Sequence, residues 1–330
     1  MELIDINYAK KVLALYPITY EDISFVRHHE NMVFKIWDNL QNKAYVLRIH
    51  ISKVEGLAGI GHTYEGLNSE MEFLNYLGNY PLLTVQKPIA NHYGKFVTIQ
   101  EQKETSKVFY ATLLAWIDGA PLTLKEGNIE DLVYTYGKKV AILQEASKGF
   151  KPQSGFIRPS YSTDSLKTAI KDLSHGIDLG LYTSEQYDLM LKVCNKVIDK
   201  IKELDQLSDA WGMIHGDFQL SNIIINGNEV GFIDFGLSGY GYYLFDLGSA
   251  ISILESSLRD IFLKGYSSVV SFHSSDKHYV ECFIFADIFI SYMLFIHDEN
   301  ARGQIKEHVE SMCKNFFSQF LAGEELFYLL

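Results

Sequence analysis

The stretch from Met213 to Gly236, MIHGDFQLSNIIINGNEVGFIDFG, constrains the fold of this chain more than any other. Two short apolar runs flank an Asn-Gly turn, a pattern that predicts a β-hairpin. Asn222 precedes this hairpin and Asp234 follows it, so the two side chains can meet. An amide oxygen and a carboxylate that lie close together suit Mg²⁺, which takes few protein ligands and leaves room for phosphate oxygens.

Two residues of the loop before the hairpin carry further polar chemistry. Asp217 lies five residues before Asn222, where its carboxylate is a candidate base for an incoming hydroxyl. An isolated Asp could equally be a helix cap or a surface acid, but its spacing from Asn222 and Asp234 favours the catalytic interpretation. His215 is interpreted as a buried, hydrogen-bonded brace of this loop rather than as an acid–base group.

Size and composition exclude several classes of protein. The chain has 330 residues, of which 47% are hydrophobic, enough for one large domain or two lobes with a sizeable core. A net charge of -12 argues against nucleic-acid binding, which needs basic surface. Three widely spaced cysteines lack metal-ligand spacing and indicate a reducing compartment.

Neither a signal peptide nor a membrane span is expected. The N-terminus lacks the charged-then-apolar order of a signal sequence. The apolar stretch from Phe283 to Ile296 is short and is interrupted by Asp287. We therefore expect a soluble, cytoplasmic protein without a nucleic-acid or membrane partner, and the oligomeric state is left open.

The chain divides into a β-rich front and a helical back. The front has short connections between its strands, which favour antiparallel pairing. We expect an α+β, bilobal architecture in which residues 1–115 form one lobe and residues 116–330 the other. Strand patterns cover residues 23–36, 43–51, 94–101 and 107–116, with a helix at 67–77, and the hairpin at 222–235 carries the only strand signals of the back. Helical patterns of the back cover residues 128–147, 165–174, 183–207, 246–264, 278–297 and 304–322.

The order HGDFQLSN…IDFG is similar to the catalytic loop and metal-binding triplet of protein kinases, with the same Asp-x-x-x-x-Asn spacing. Gly216 stands where the protein-kinase loop has an Arg. This HGD form resembles the aminoglycoside phosphotransferase / choline kinase family, which includes homoserine-kinase-type members and other small-molecule kinases. The resemblance is strong over 213–249, moderate over 25–119 and weak after residue 250. It implies a protein-kinase-like fold, with an N-terminal nucleotide-binding lobe of antiparallel sheet plus one key helix, and a mainly helical catalytic lobe.

The resemblance also implies roles for individual residues. Asp217 would be the catalytic base, and Asn222 and Asp234 would hold Mg²⁺ against the phosphates. Arg48, in VLRI, stands where a strand Lys contacts the α- and β-phosphates, a departure from the commoner residue. Glu70 on the next helix would pair with Arg48.

Other positions follow from the same resemblance. Backbone groups of Ala115 and Ile117, where the first lobe ends, would hold the adenine. Asn31, with Glu30 before it, resembles an EN pair in the family's phosphate loop, although residues 27–31 contain no glycine. Asp246, in YYLFDLG, would order the catalytic loop.

Two acidic positions have competing interpretations. Glu72 competes with Glu70 as the partner of Arg48, and Glu70 is favoured because it lies on the apolar stripe of its helix. Asp287 is either a helix acid that faces outward or an anion in the substrate pocket, ready for an ammonium group.

The function implied by the resemblance is Mg²⁺-dependent transfer of the γ-phosphate of ATP, or GTP, to a hydroxyl of a small molecule. The acidic balance and the family resemblance together point to an amine-bearing acceptor: an aminoglycoside-like antibiotic, an amino alcohol or a hydroxy amino acid. A protein kinase is one alternative, disfavoured by the missing loop Arg and the lack of an APE-like segment after Asp234. A catalytically inactive, nucleotide-binding pseudokinase module is the other, disfavoured because all three catalytic polar positions are present.

Overall fold

The computed structural model describes residues 6–28, 31–50, 59–102, 107–125, 127–207 and 209–330. Glu30, which the sequence pairs with Asn31, lies outside the described residues.

An antiparallel sheet forms the front of the molecule. β3 lies between β2 and β6, β1 pairs with β2, and β4 and β5 both pair with β6. The short connections therefore produce the antiparallel pairing that the sequence predicts. The strands are β1 (Asp22–His28), β2 (Asn31–Asp38), β3 (Lys43–His50), β4 (Pro88–Ile89), β5 (Val97–Gln102) and β6 (Lys107–Ala115).

The two faces of this sheet bury different helices, because successive strand side chains point to opposite sides. On one face Phe34 and Leu47 pack in a cluster with helix α1 (Ile6–Leu13). On the other face Val46 joins the large core cluster that contains the buried side of helix α2 (Tyr64–Leu77). That second cluster continues into the back of the molecule and includes Phe218. One core therefore supports both the sheet and the loop of residues 215–222, called the catalytic loop below after its resemblance to that of kinases.

Helices dominate the back, which confirms the expected α+β architecture. The pattern at 246–264 covers two helices rather than one, and the pattern at 304–322 contains a π-helical turn at Cys313–Phe317. The helices are α3 (Ile129–Lys148), α4 (Thr163–Asp172), α5 (His175–Asp178), α6 (Ser184–Ile201), α7 (Tyr243–Ser252), α8 (Ser256–Ser267), α9 (Lys277–Phe295), α10 (Arg302–Met312) and α11 (Ser318–Ala322).

The expectation that the hairpin is the only β-structure of the back is wrong. Two small sheets form there, one by adding β7 to the hairpin and the other from β8, β9 and β12. These extra strands have two to four residues each, too few for an alternating pattern to emerge from the sequence. The strands are β7 (Ala120–Pro121), β8 (Ser160–Tyr161), β9 (Trp211–Ile214), β10 (Ile223–Asn226), β11 (Glu229–Phe232) and β12 (Gly239–Tyr242).

One helical segment among the described residues, Ser274–Phe295, is long and apolar enough to cross a membrane by length and composition alone. However, 56% of its most apolar window is buried inside the fold. The segment packs against α7, α6 and α4 in the helical part of the fold.

Candidate active site

A cleft of about 390 Å³ separates the sheet from the hairpin β10–β11 and collects most of the predicted site residues. The strands β1, β2 and β3 and the helix α2 supply one wall, residues from 216–222 and 234–237 on either side of the hairpin supply the other, and α9 closes one end. The predicted residues that line it are Asn31, Arg48, Glu70, Asp217, Asn222, Asp234 and Asp287.

A buried carboxylate holds the start of the catalytic loop. Asp246, at the beginning of α7, accepts the backbone N–H of His215 at 2.7 Å and that of Gly216 at 2.9 Å. Burial raises the pKa of Asp246 to about 7, and the two N–H donors oppose that rise. Gly216 has φ of +77°, and a Cβ there would lie 2.7 Å from the carbonyl oxygen of Leu237. The loop therefore requires glycine where protein kinases have Arg.

The His215 ring connects the catalytic loop to the hairpin. Its Nδ1 accepts the N–H of Asp217 at 3.2 Å, so Nε2 carries the proton and donates to the carbonyl of Ile233 at 3.1 Å. The ring is fully buried and stacks on Phe218. Backbone groups thus occupy both nitrogens, as the interpretation of His215 as a brace requires.

We expect the His215 imidazole to stay neutral at physiological pH. Burial lowers its pKa from 6.5 to about 4, against weaker opposing effects of the Ile233 carbonyl and the Asp234 carboxylate. The unfolded chain takes up that proton at the ordinary pKa, so the folded state loses stability as the pH falls from 6.5 towards 4. An NMR titration, assigned with the His215→Gln variant, should show a neutral Nε2–H ring throughout the neutral range. A midpoint at the ordinary histidine value would contradict this.

Two amides orient the carboxylate of Asp217. Nδ2 of Asn222 donates to Oδ2 at 2.9 Å and also to the Asp217 carbonyl at 3.1 Å, while Nε2 of Gln219 donates to Oδ1 at 2.6 Å. A carboxylate has about four lone-pair positions, so it can still accept a proton from a hydroxyl in the cleft. Gln219 was not singled out from the sequence, although it lies within the motif.

Asn222 and Asp234 present a donor set that fits Mg²⁺. Both contacts of the Asn222 amide use its nitrogen, so its oxygen is the atom that could bind a metal. Asp234 is held in the left-handed region with φ of 65°, a conformation that non-glycine residues adopt only where the surroundings impose it. No group of three or more His, Cys, Asp or Glu side chains suited to a metal occurs in the described part of the chain. A Mg²⁺ site that has two protein oxygen donors, with phosphate oxygens completing the coordination, does not require such a group.

A buried ion pair joins β3 to α2. Nη2 of Arg48 donates to Oε1 of Glu70 at 2.7 Å, and the two side chains are 8% and 1% exposed. Nε of Arg48 donates to Oγ1 of Thr112 at 3.2 Å. Glu72 instead accepts the N–H of Gln153 at 2.8 Å, so Glu70 is the residue that contacts Arg48.

In the segment predicted to bind the nucleotide base, two backbone N–H groups are already hydrogen-bonded within the fold. The N–H of Ala115 donates to the carbonyl of Lys87 at 2.7 Å, and the N–H of Trp116 donates to Ala44 at 3.0 Å. Hydrogen-bonded positions alternate along an antiparallel pair, so the carbonyl of Ala115 points away from β3. That carbonyl, rather than the N–H, is the group that Ala115 can offer a nucleotide base. Neither Ala115 nor Ile117 is among the residues that line the cleft described above.

Arg158 was missed by the sequence analysis, yet it ties α2 to the segment that follows Asp234. Its buried guanidinium donates to three carbonyl oxygens of residues 235–238 at 2.6 to 3.0 Å, and to the Gly66 carbonyl at 3.2 Å. The helix that carries Glu70 and the residues after Asp234 are therefore fixed to one cation. Backbone carbonyls have no sequence signature, so no pattern could have identified these partners.

Asp287 lies at the end of the cleft, half-buried on α9, and not on an outward face. Burial raises its pKa to about 7, a hydrogen bond from Ser249 opposes the rise, and the carboxylates of Asp217 and Asp246 add to it. Three carboxylates thus act on one another around the catalytic loop. A cation placed among them would relieve their mutual repulsion.

The described fold resembles solved kinases along its whole length. It matches a microcompartment-associated aminopropanol kinase with a TM-score of 0.77 at 19% identity, covering 98% of this chain and 99% of that one. An amicoumacin kinase in complex with AMP-PNP and Ca²⁺ gives 0.74 at 18% identity, with 96% and 97% covered. A choline kinase from Cryptosporidium parvum Iowa II gives 0.63 at 14% identity, with 96% and 98% covered.

A local sequence match links the chain to a probable bifunctional tRNA threonylcarbamoyladenosine biosynthesis protein of Methanothermobacter thermautotrophicus, 39% identical over 68 residues. That match spans 21% of this chain and 12% of the relative.

The fold is that of protein-kinase-like kinases, as the sequence predicts. The model of the phosphotransferase enzyme family matches residues 22–275, most of the chain. The chain belongs to this family, and the predicted family resemblance is confirmed.

Proposed function

We propose that the protein transfers the γ-phosphate of ATP or GTP to a hydroxyl of a small, amine-bearing molecule. The observation that carries this proposal is the convergence of Asp217, Asn222 and Asp234 on one cleft, opposite the buried Arg48–Glu70 pair. Phosphoryl transfer asks for positioning and charge neutralisation more than for covalent chemistry, and these residues supply both.

In this mechanism each side chain has a separate task. Asp217, fixed by Asn222 and Gln219, orients the acceptor hydroxyl and takes its proton. Arg48, held by Glu70, places a permanent positive charge beside the phosphates. Asn222 and Asp234 would hold Mg²⁺, which when bound screens the charge of the phosphate oxygens.

The division of labour between the two halves follows from these tasks. We assign nucleotide binding to residues 1–115, with the Ala115 carbonyl and the Ile117 N–H contacting the base and Asn31 near the phosphates. Catalysis and acceptor binding belong to residues 116–330. Solved structures similar to this one hold AMP-PNP or GDP, which supports a purine nucleotide as co-substrate. We place the protein in the cytoplasm, without a nucleic-acid or membrane partner.

The amine of the acceptor is assigned to Asp287. Its carboxylate shares the cleft with Asp217, so an ammonium bound to it would lie near a hydroxyl at the catalytic base. Two structurally similar proteins are named for amino alcohols, an aminopropanol kinase and a choline kinase. A compact amino alcohol is therefore the first acceptor to test.

The Asp287→Asn variant is expected to raise the KM for an amine-bearing acceptor about 10-fold to 100-fold, the value of one charge-assisted hydrogen bond. The KM for ATP should stay unchanged. Because the pKa of Asp287 is raised to about 7, the wild-type acceptor kcat/KM should rise as the pH increases through that value, and the variant should lose this rise. Steady-state kinetics across the pH range measure both effects. An unchanged acceptor KM would remove Asp287 from the site.

A nucleotide-consumption screen tests the proposal itself. Purified protein, ATP and Mg²⁺ are incubated with amino alcohols, hydroxy amino acids and aminoglycosides, each paired with its deaminated analogue. Consumption that depends on the acceptor and prefers the amine supports the proposal. Nucleotide binding without consumption would instead favour an inactive pseudokinase module, and consumption that requires a protein acceptor would favour a protein kinase.

A further inference from the structure

A β-bulge in β1 turns one arginine into the nucleotide cleft. Phe25 is opposite Phe34 and Arg27 is opposite Val33, so Val26 is an extra residue in the strand. Phe34 and Val33 point to opposite faces of the sheet, since they are neighbours on β2. Phe25 consequently packs edge-on against the ring of Phe34, whereas Arg27 joins Val33 in the cleft lining. Without the bulge, Arg27 would share the face of Phe25.

The bulge places two arginines in one row of the sheet. Arg27 is opposite Val33, Val33 is opposite Arg48, and Arg48 is opposite Thr112. Two strand spacings put the Cα atoms of the arginines about 10 Å apart, on the face that lines the cleft. Residues 27–31 contain no glycine in the sequence, whereas a glycine-rich loop brings several backbone N–H donors close to a phosphate.

The guanidinium of Arg27 crosses the cleft to the proposed metal-binding carboxylate. Its Nη2 contacts Oδ2 of Asp234 at 2.9 Å, and the two side chains are 56% and 33% exposed. An exposed pair of this kind is weak, so a divalent cation can displace it at little cost. The Arg27 guanidinium thus contacts Asp234 at the position where the proposed reaction requires a metal ion.

We propose that Arg27 is a second phosphate-binding residue that alternates between two partners. It pairs with Asp234 when the cleft holds no nucleotide. In the loaded enzyme Asp234 serves the metal, and the Arg27 guanidinium donates to phosphate oxygens, in place of the missing glycine-rich loop. This inference rests on the proposed function, because it concerns the same nucleotide cleft.

The test compares Arg27→Gln with wild type in two binding measurements that do not depend on turnover. Calorimetry with ATP in excess EDTA should show the variant binding about 10-fold more weakly, since a charge-assisted hydrogen bond is lost. Electron paramagnetic resonance with Mn²⁺ alone should show the variant binding the metal about 2-fold to 5-fold more tightly, since the competing cation is gone. Weaker ATP binding together with tighter Mn²⁺ binding distinguishes this role from a merely structural one, which would not change the two affinities in opposite directions.

Two further variants complete the experiment. Arg27→Lys keeps the charge and should give ATP affinity between those of wild type and Arg27→Gln. Lys167→Gln removes an exposed cation paired with Asp164, outside the cleft lining, and should change neither affinity. The Arg27 inference is overturned if Arg27→Gln binds both ATP and Mn²⁺ as wild type does, or if it binds both more weakly. The proposed function still stands in either case, provided that wild type binds ATP. Wild type that binds no ATP overturns both.

Discussion

The Asp217→Asn enzyme is expected to lose about 10²–10⁴-fold in kcat, the usual contribution of a positioned general base. An Asn at 217 preserves size and keeps an oxygen for the contact with Asn222, but it cannot take the acceptor's proton. ATP binding should persist because the nucleotide contacts lie with Arg48, Asn222 and Asp234. Steady-state kinetics with the best acceptor measure the loss, and a thermal shift with ATP and Mg²⁺ measures the retained binding.

An acid outside the cleft provides the control for this experiment. Asp260 is exposed and lies beside Lys277 and Tyr328, so Asp260→Asn should turn over like wild type. If Asp217→Asn also turned over like wild type, Asp217 could not be the base. Loss of both turnover and ATP binding would instead point to collapse of the catalytic loop.

The Glu70→Ala variant is expected to lose about 3–5 kcal/mol of unfolding free energy, together with most of its activity. Glu70 is the buried partner of Arg48 at 2.7 Å, and its removal leaves a nearly buried guanidinium in the cleft wall without this countercharge. Urea denaturation followed by circular dichroism measures the change in stability.

Two matched variants isolate the ion pair from general damage to α2. Glu72→Ala lies on the same helix but faces Gln153, and it should cost no more than about 1 kcal/mol. The double variant Arg48→Met with Glu70→Met removes both charges and should regain most of the stability, while activity stays lost. Equal stability losses at Glu70 and Glu72 would rule out a special role for the Arg48 pair.

The sequence predicts those parts of the site that lie close together along the chain. Asp217, Asn222 and Asp234 fall within one loop and one hairpin, so their spacing alone brings them together. Arg48 and Glu70 need the family resemblance, because their meeting depends on how α2 packs against β3. The choice of Glu70 over Glu72 came from helical periodicity, and the structure places Glu70 against Arg48.

Other features depend on contacts that no local pattern encodes. Arg158 bonds backbone carbonyls from two distant segments, and Arg27 reaches the cleft only through the extra residue Val26. Neither arginine belongs to a sequence motif that would indicate its role. The short strands β9 and β12 pair across an intervening hairpin, so each is stabilised by a partner rather than by its own propensity. The position of Asp287 relative to Asp217 is likewise set by helix packing, so the sequence does not choose between an outward-facing acid and one in the cleft.

Phosphorus NMR of the complete reaction tests the central claim most directly. Wild type, ATP, Mg²⁺ and the best acceptor from the screen are followed over time, with Asp217→Asn as the control. We predict a new phosphomonoester resonance, coupled to protons of the acceptor, that grows in step with ADP and is nearly absent in the control. Release of inorganic phosphate alone, or phosphate found only on the protein, would contradict phosphoryl transfer to a small-molecule hydroxyl.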